Sequence, residues 1–263
     1  MKEYLDFAIE IAHYAGDKIK SSFLKDKDLN YKSDRTVVTD VDKDINHYLI
    51  EKVKEKYPNH AVNGEEESFN NSSNYVWVCD PIDGTGMFTA GMPVSVFSLA
   101  LVIDGIPYVG VVYDPYLDMM YTAIKGEGAF CNGNKISVNK LHLGDLGYRL
   151  NYEMWNGALY DTMHIAKNML DKVKISSIGS VARSCMAIAT GNFSCDLFPG
   201  TEHGNCDIAA SALIVEEAGG KVTDFFGNTQ RYDDAIKGAI ISNGVSHEEI
   251  LEQVRGAIKW KRF

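Results

Sequence analysis

The 263-residue chain is short of positive charge: 26 lysines and arginines stand against 36 aspartates and glutamates, a formal net charge of -10 at pH 7. Binding a nucleic-acid backbone ordinarily takes a basic face that displaces counterions, so this balance argues against such a partner. An anionic substrate would need cations brought from elsewhere. No CxxC pair occurs among Cys79, Cys131, Cys185, Cys195 and Cys206, and several of these lie in apolar surroundings. An odd, unspaced set of this kind reads as buried thiols in a reducing cytoplasm rather than as a disulfide framework. His203 and Cys206 have a ligand-like spacing, but no second pair completes a zinc site. Long apolar runs are missing too: acids interrupt the N-terminal MKEYLDFAIEIAHYAG, whose helical period marks neither a signal peptide nor a membrane span. Repeats, low-complexity tracts and heptads are absent. The glycines of KGEGAFCNG sit in a turn rather than a nucleotide-binding fingerprint, and Ser180 and Ser184 lack the nucleophile-elbow pattern.

What is present is the pattern of a globular α/β protein. A hydrophobic fraction of 45% supports one large or two medium domains. Leu5, Ala8, Ile9, Ala12, Ile19 and Phe23 recur at helical spacing and mark a long amphipathic helix lying on a sheet. Val41, Ile45, Tyr48, Leu49 and Val53 mark a second helix, stopped by Pro58, with Asp40 near its start. The runs YVWVCD, PVSVFSLALVI, IPYVGVVYD and MMYTAI read as a largely antiparallel sheet, with Asp104-Gly105 as a hairpin turn. From about Asn139 helices and strands alternate, which places a subdomain boundary there and divides the chain into 1–138 and 139–263. Ser246 and Glu249 have the spacing of a capping box at the last helix.

Three acidic motifs stand at the edges of these elements: Asn63-Gly64-Glu65-Glu66-Glu67, Asp80-Pro81-Ile82-Asp83-Gly84-Thr85 and Asn205-Cys206-Asp207. Alone, Asp80 and Asp83 read as turn and cap residues at the exit of a buried strand. If Glu65, Asp80, Asp83 and Asp207 converge, each ionised pair at about 4 Å repels by roughly 4 kcal/mol at an effective dielectric of 20. Such a cluster takes up protons or binds cations, and hard oxygen ligands select Mg²⁺ or Mn²⁺ over zinc. The spacing predicts a one-turn bend, held by Pro81, that aims Asp80 and Asp83 at one point and presents the Ile82 carbonyl. Gly84 would let a ligand approach, and the N–H groups of Gly84, Thr85 and Gly86 opening a helix would suit phosphate oxygens. Asp83, Gly84, Thr85 and Gly86 are thus the candidate substrate-contacting loop.

VCDPIDGTGMF, the upstream NGEEES and the downstream CDIAASALIVEEAGG resemble, in order and spacing, the signature segments of the inositol monophosphatase family of metal-dependent phosphatases. YVGVVYDPYLDMMYTAIKGEGAFCNGNKISV is similar to the stretch that follows the family's first motif, so the resemblance spans most of the chain. It implies an α/β (α+β) layered sandwich of αβαβα order, shared with fructose-1,6-bisphosphatase-like enzymes. It also implies a phosphoric monoester hydrolase, often dimeric, and inhibition by Li⁺. Glu65, Asp80, the Ile82 carbonyl, Asp83 and Asp207 would hold two or three Mg²⁺ ions, with Mn²⁺ as a substitute. Thr85, Asp40 and Glu65 would orient and deprotonate the attacking water, and Lys32 matches a family lysine near the site.

The departures bear on substrate. Met87 stands where the family has Asn, and Cys206 where it has Trp, which removes a ring beside Asp207 and would enlarge the pocket. Glu202 lies near a family glutamate that contacts a substrate hydroxyl, in a different register. Arg183 is either a contact for a second phosphate or a solvated helix residue. Inositol monophosphate is the default substrate, with fructose 1,6-bisphosphate, histidinol phosphate and NADP as rivals. Adenosine 3′,5′-bisphosphate is disfavoured because no NGEF-like run follows DGTGMF. A non-catalytic relative acting as a binding or regulatory protein is the remaining alternative, and retention of every implied ligand and of Thr85 argues against it. The expected partners are a small phosphorylated metabolite and a second copy of the chain, with no nucleic acid and no membrane.

Overall fold

In the computed structural model, which describes residues 1–25, 30–31, 37–70, 72–155, 157–200 and 206–257, the N-terminal stripe becomes helix α1 (Lys2–Ser22). It buries Phe7, Ala8, Ile11, Ala12, Ala15 and Ile19, one face at a period of 3.6. A short ribbon of β1 (Asn30–Tyr31) and β2 (Val37–Val38) leads into α2 (Asp40–Lys56), which buries Ile45, Leu49, Ile50 and Val53. Next come β3 (Ala61–Gly64), β4 (Ser68–Phe69), β5 (Tyr75–Asp83) and the short helix α3 (Thr85–Thr89). With β6 (Val96–Ile103), β7 (Ile106–Asp114), β8 (Met119–Ile124), β9 (Gly128–Cys131) and β10 (Asn134–Lys135) they supply a sheet of order β10-β9-β8-β7-β6-β5-β3-β4. Its pairs are antiparallel except β3 with β5.

The rest of the chain gives β11 (Arg149–Tyr152), α4 (Thr162–Lys167), β12 (Lys174–Ser176), α5 (Val181–Ala189), β13 (Cys195–Phe198) and α6 (Ala209–Glu217). β14 (Lys221–Thr223), β15 (Ala239–Ser242) and α7 (His247–Ala257) follow. The second sheet has the order β12-β11-β13-β15-β14.

Burial on both faces explains why β6 reads as an unbroken apolar run. Phe97, Leu99 and Leu101 pack with α1 and α2, while Val96, Ala100 and Val102 pack with α5 and α6. Those two helices also meet Phe198, Val222, Ala239 and Ile241 of the second sheet. The opposite face of that sheet, with Leu150, Cys195, Leu197 and Ile240, packs with Ile165 and Ala166 of α4 and Ile250, Leu251 and Val254 of α7. The layers therefore run αβαβα. First-sheet strands end at Lys135 and second-sheet strands begin at Arg149, yet one core spans both. The contact is close: a Cβ on Gly110 of β7 would lie 2.9 Å from the Ala210 carbonyl oxygen of α6.

Local details follow the sequence in part. Asp104 and Gly105 close the β6–β7 hairpin at φ 52 and 84, as a two-residue turn requires. The KGEG turn is structural: the Gly126 and Gly128 N–H groups donate to the Glu217 carboxylate at 2.7 and 2.8 Å. All five cysteines are free thiols. The Ser246–Glu249 capping box does not form. Glu249 instead meets the His142 ring at 3.1 Å and the Leu143 N–H at 2.8 Å, and the Ser246 hydroxyl bonds Asn243 and Tyr148. Tertiary partners displace the local one. Among the described residues no helix is long and apolar enough to cross a membrane.

Candidate active site

Side chains three apart on a regular strand face opposite ways. Asp80 pairs with Ser98 and Asp83 with Val96, so β5 uses three residue steps where β6 uses two. The resulting bulge brings both aspartates to one side. The one-turn bend expected from the sequence is replaced by this bulged strand, in which Pro81 lacks an N–H to be paired. The Ile82 N–H donates to Asp80 Oδ1 at 3.0 Å, and its side chain is fully buried. Asp207, just ahead of α6, completes the group: carboxylate oxygens of Asp80, Asp83 and Asp207 lie within 4.8 Å of one another.

Burial pushes the Asp80 and Asp83 carboxyls well above the usual carboxylate range. Glu65, Asp83 and Asp207 raise Asp80 further, and Asp207 does the same to Asp83. The Glu65 N–H donates to the Cys79 carbonyl at 3.1 Å, which ties the Gly64-Glu65 corner to β5 beside Asp80. Asp83 is also gripped from behind by the start of α5. The Ser180 hydroxyl and the Ala182 N–H, at 2.8 Å, donate to Oδ2, and the Val181 N–H donates to Oδ1 at 3.2 Å.

Gly84 serves that grip. It has φ +87, and a Cβ there would stand 2.8 Å from the Gly179 carbonyl oxygen. The close approach it permits is to the protein's own turn, while a Cβ on Gly86 would have nothing within 4 Å. Met87 packs on the same turn, since a Cβ on Gly179 would fall 2.5 Å from its terminal methyl. Cys206 is buried in the core between the sheets, with its thiol directed at the Asn63 carbonyl at 3.6 Å, so its small size serves packing there.

Thr85 lies where the sequence reading put it, and Asp40 does not. The Thr85 hydroxyl is 2.9 Å from the Ile82 carbonyl and 3.3 Å from Asp42 Oδ1. Asp42 is fully buried; its Oδ2 accepts from the Thr39 N–H at 2.8 Å and from the Thr39 hydroxyl at 2.5 Å. Asp40 is exposed, its side chain 70% accessible and 3.8 Å from Lys43. The helical register explains the correction: Asp42 is the third residue of α2 and folds back on the cap, while Asp40, the first, faces solvent. The spacing Thr39-x-x-Asp42 carried that signal in the sequence. Arg183 forms an ion pair with the buried Asp114 and keeps 23% of its side chain accessible. Lys32, Glu202, His203 and Asn205 lie outside the described residues. Sequence reasoning missed Asp42 and also Ser180, whose hydroxyl at the α5 cap could have suggested an anion partner.

The donor set fits Mg²⁺. Three carboxylates this close repel by roughly 3 to 4 kcal/mol per ionised pair at an effective dielectric of 20, and among the described residues no lysine or arginine pairs with Asp80 or Asp83. Ser98, directly across from Asp80, has a buried hydroxyl without a hydrogen-bond partner among the described residues. An all-oxygen cluster with unbalanced negative charge suits a hard divalent cation.

The family model for the inositol monophosphatase family matches residues 1–259. Over 235 residues the chain is 36% identical to inositol monophosphatase 2 of Solanum lycopersicum, covering 85% of this chain and 88% of that one. Among solved structures it is similar to the IMPase of Thermotoga maritima, with TM-score 0.86 at 28% identity and 97% of each chain covered. It is also similar to an IMPase/NADP phosphatase complexed with Mg²⁺ and phosphate, with TM-score 0.84 at 27% identity and 99% of each chain covered. A whole-chain family match joined to a bulged strand that gathers three aspartates leads to one conclusion: the chain belongs to the inositol monophosphatase family and is a metal-dependent phosphatase.

Proposed function

We propose that the chain hydrolyses the phosphate monoester of a small polyol or sugar, inositol monophosphate first among them. Asp80, Asp83 and Asp207, with Glu65 and the Ile82 carbonyl, would hold two or three Mg²⁺ ions. The observation that carries this reading is the convergence of Asp80, Asp83 and Asp207 within 4.8 Å. When bound, the ions supply charge to the phosphoryl oxygens and the leaving alkoxide and acidify the attacking water.

The chain's own residues hold and move the proton. Thr85 Oγ1 orients the attacking water and relays a proton toward Asp42 Oδ1, 3.3 Å away. Burial, opposed by the bonds to Thr39 and helped by the charges of Glu65 and Glu66, lifts Asp42 to about 7. A carboxylate poised there takes and returns a proton at neutral pH. Glu65 acts on both Asp42 and Asp80 through its charge, which supports its place at the same water.

The surroundings favour a single phosphate on a polyhydroxylated body. Arg183 is committed to Asp114. Glu65 and Glu66 act on Asp42 through their charge, so acids border the site itself. Hydroxyl groups donate to such carboxylates, whereas a second phosphate meets like charge. The test is phosphate release from inositol monophosphate, fructose 1,6-bisphosphate, histidinol phosphate, NADP and adenosine 3′,5′-bisphosphate, with and without Mg²⁺ and with added Li⁺. The expected result is Mg²⁺-dependent release, fastest from inositol monophosphate and slowed by Li⁺. Preference for a bisphosphate would overturn the substrate assignment, and no release from any ester would overturn the catalytic one.

A further inference from the structure

A second polar cluster lies between α5 and the second sheet. Asn151 on β11, Asp196 on β13 and Ser184 on α5 are fully buried, and Glu153, just beyond β11, is 5% exposed. Asn151 Nδ2 donates to Glu153 Oε1 at 2.9 Å and to Asp196 Oδ1 at 3.1 Å, and the Ser184 hydroxyl donates to Asp196 Oδ2. Two buried carboxylates thus share one amide, and among the described residues neither pairs with a lysine or arginine. Burial lifts Asp196 to about 7 and Glu153 above its usual range, so the cluster retains a proton near neutrality, which limits the repulsion inside it.

The other side-chain bonds of Asn151 and Glu153 lead in one direction. Asn151 Oδ1 accepts from the Ile178 N–H at 3.1 Å, and Glu153 Oε1 accepts from the Gly179 N–H at 3.0 Å. These two residues immediately precede Ser180, whose hydroxyl joins the Val181 and Ala182 N–H groups in holding Asp83. The turn is boxed in on its other side as well, because the Gly179 carbonyl leaves no room for a side chain on Gly84.

We propose that Asn151 and Glu153, anchored through Asp196, are positioning residues for the metal site: they fix the 178–180 turn so that the amino end of α5 presents Asp83 in its cation-binding orientation. The proposal rests on the function assigned above. Groups that orient a metal ligand from behind commonly carry much of a site's affinity. Packing alone would require a side chain of matching volume, whereas positioning requires an acceptor oxygen at the place of Glu153 Oε1.

The experiment is calorimetric titration of Mg²⁺ into metal-free wild type, Glu153→Ala and Glu153→Gln, with kcat and KM for an ester the wild type hydrolyses. Glu153→Ala is expected to weaken Mg²⁺ binding by about tenfold or more and to lower kcat with little change in KM for the ester. Glu153→Gln keeps an acceptor oxygen and is expected to recover most of that loss. A folded Glu153→Ala protein with wild-type Mg²⁺ affinity and kcat would overturn the proposal, as would a Glu153→Gln protein as weak as Glu153→Ala. If Glu153→Ala does not fold, Asn151→Ser removes the shared amide and reads the same quantities, with unchanged Mg²⁺ affinity again overturning it. Mg²⁺-dependent release by the wild type, measured alongside, tests the function independently of the positioning role.

Discussion

Two aspartates separated by a single residue have opposite surroundings. Asp42 is enclosed by Thr39 and Thr85, whereas Asp40 is largely exposed beside Lys43. If Asp42 takes the proton, Asp42→Asn should lower kcat by roughly 10²-fold or more while leaving KM for the ester nearly unchanged. Asp40→Ala should stay within about twofold of wild type, since a solvated ion pair of this kind contributes little. Steady-state kinetics on the two variants separates them, and equal losses would return the role to Asp40. The chemical identity of the site was plain at this scale in the sequence, because acids and a threonine at fixed offsets carry it. Which aspartate faces inward was less so: it depends on a helical register that two neighbouring candidates share.

At the scale of elements, regular periods were legible and departures from them were not. α1, α2 and the β6–β7 hairpin follow from apolar spacing and from Asp104-Gly105. The β5 bulge does not, because period-2 counting sends Asp80 and Asp83 to opposite faces and only pairing with β6 shows the extra residue. The α6–β7 contact is similar: Gly110 looks like any strand glycine until α6 is laid across it. Gly110→Ala would force its new methyl group toward the Ala210 carbonyl oxygen at 2.9 Å and should cost about 1 to 3 kcal/mol. Urea unfolding of the metal-free protein measures that loss. No change in midpoint would show that α6 can retreat from β7, and with it the segment carrying Asp207.

For the whole molecule, pH and metal act together. His247 is fully buried between the Ser242 and Thr223 hydroxyls, at 2.8 and 2.9 Å, and burial lowers it from 6.5 to about 4. A histidine lowered on folding contributes stability above its unfolded value and loses that contribution as pH falls from about 6.5 to about 4. His247→Gln should therefore flatten the acid limb of a denaturation curve over that window. The raised carboxyls act with the opposite sign. Asp42 and Asp196, both lifted to about 7 by burial, favour the folded state below the ordinary carboxylate range and lose that contribution as pH rises through about 7. Asp80 and Asp83, raised by burial and by neighbouring acids, move the same way. Mg²⁺ held as proposed would bind the ionised forms, so its increment in Tm should be larger at pH 8 than at pH 5 and should vanish with a chelator. An increment independent of pH would mean that the ion binds elsewhere.

By itself the sequence carried the α/β pattern, the family resemblance, and the acids and threonine that the fold gathers at one site. These rest on residue type and short spacing, which the backbone's local periods convert directly into helices, strands and turns. Only the tertiary structure decided which of them meet. Asp207 joins Asp80 and Asp83 because α6 lies across β7, and Arg183 turns to Asp114 because α5 crosses the end of that strand. Asp83 is held by Ser180, with Asn151 and Glu153 behind that turn. The physical reason is range: a hydrogen bond or a carboxylate pair acts over a few ångströms, and segments far apart in the chain come that close only when the core between the sheets has packed.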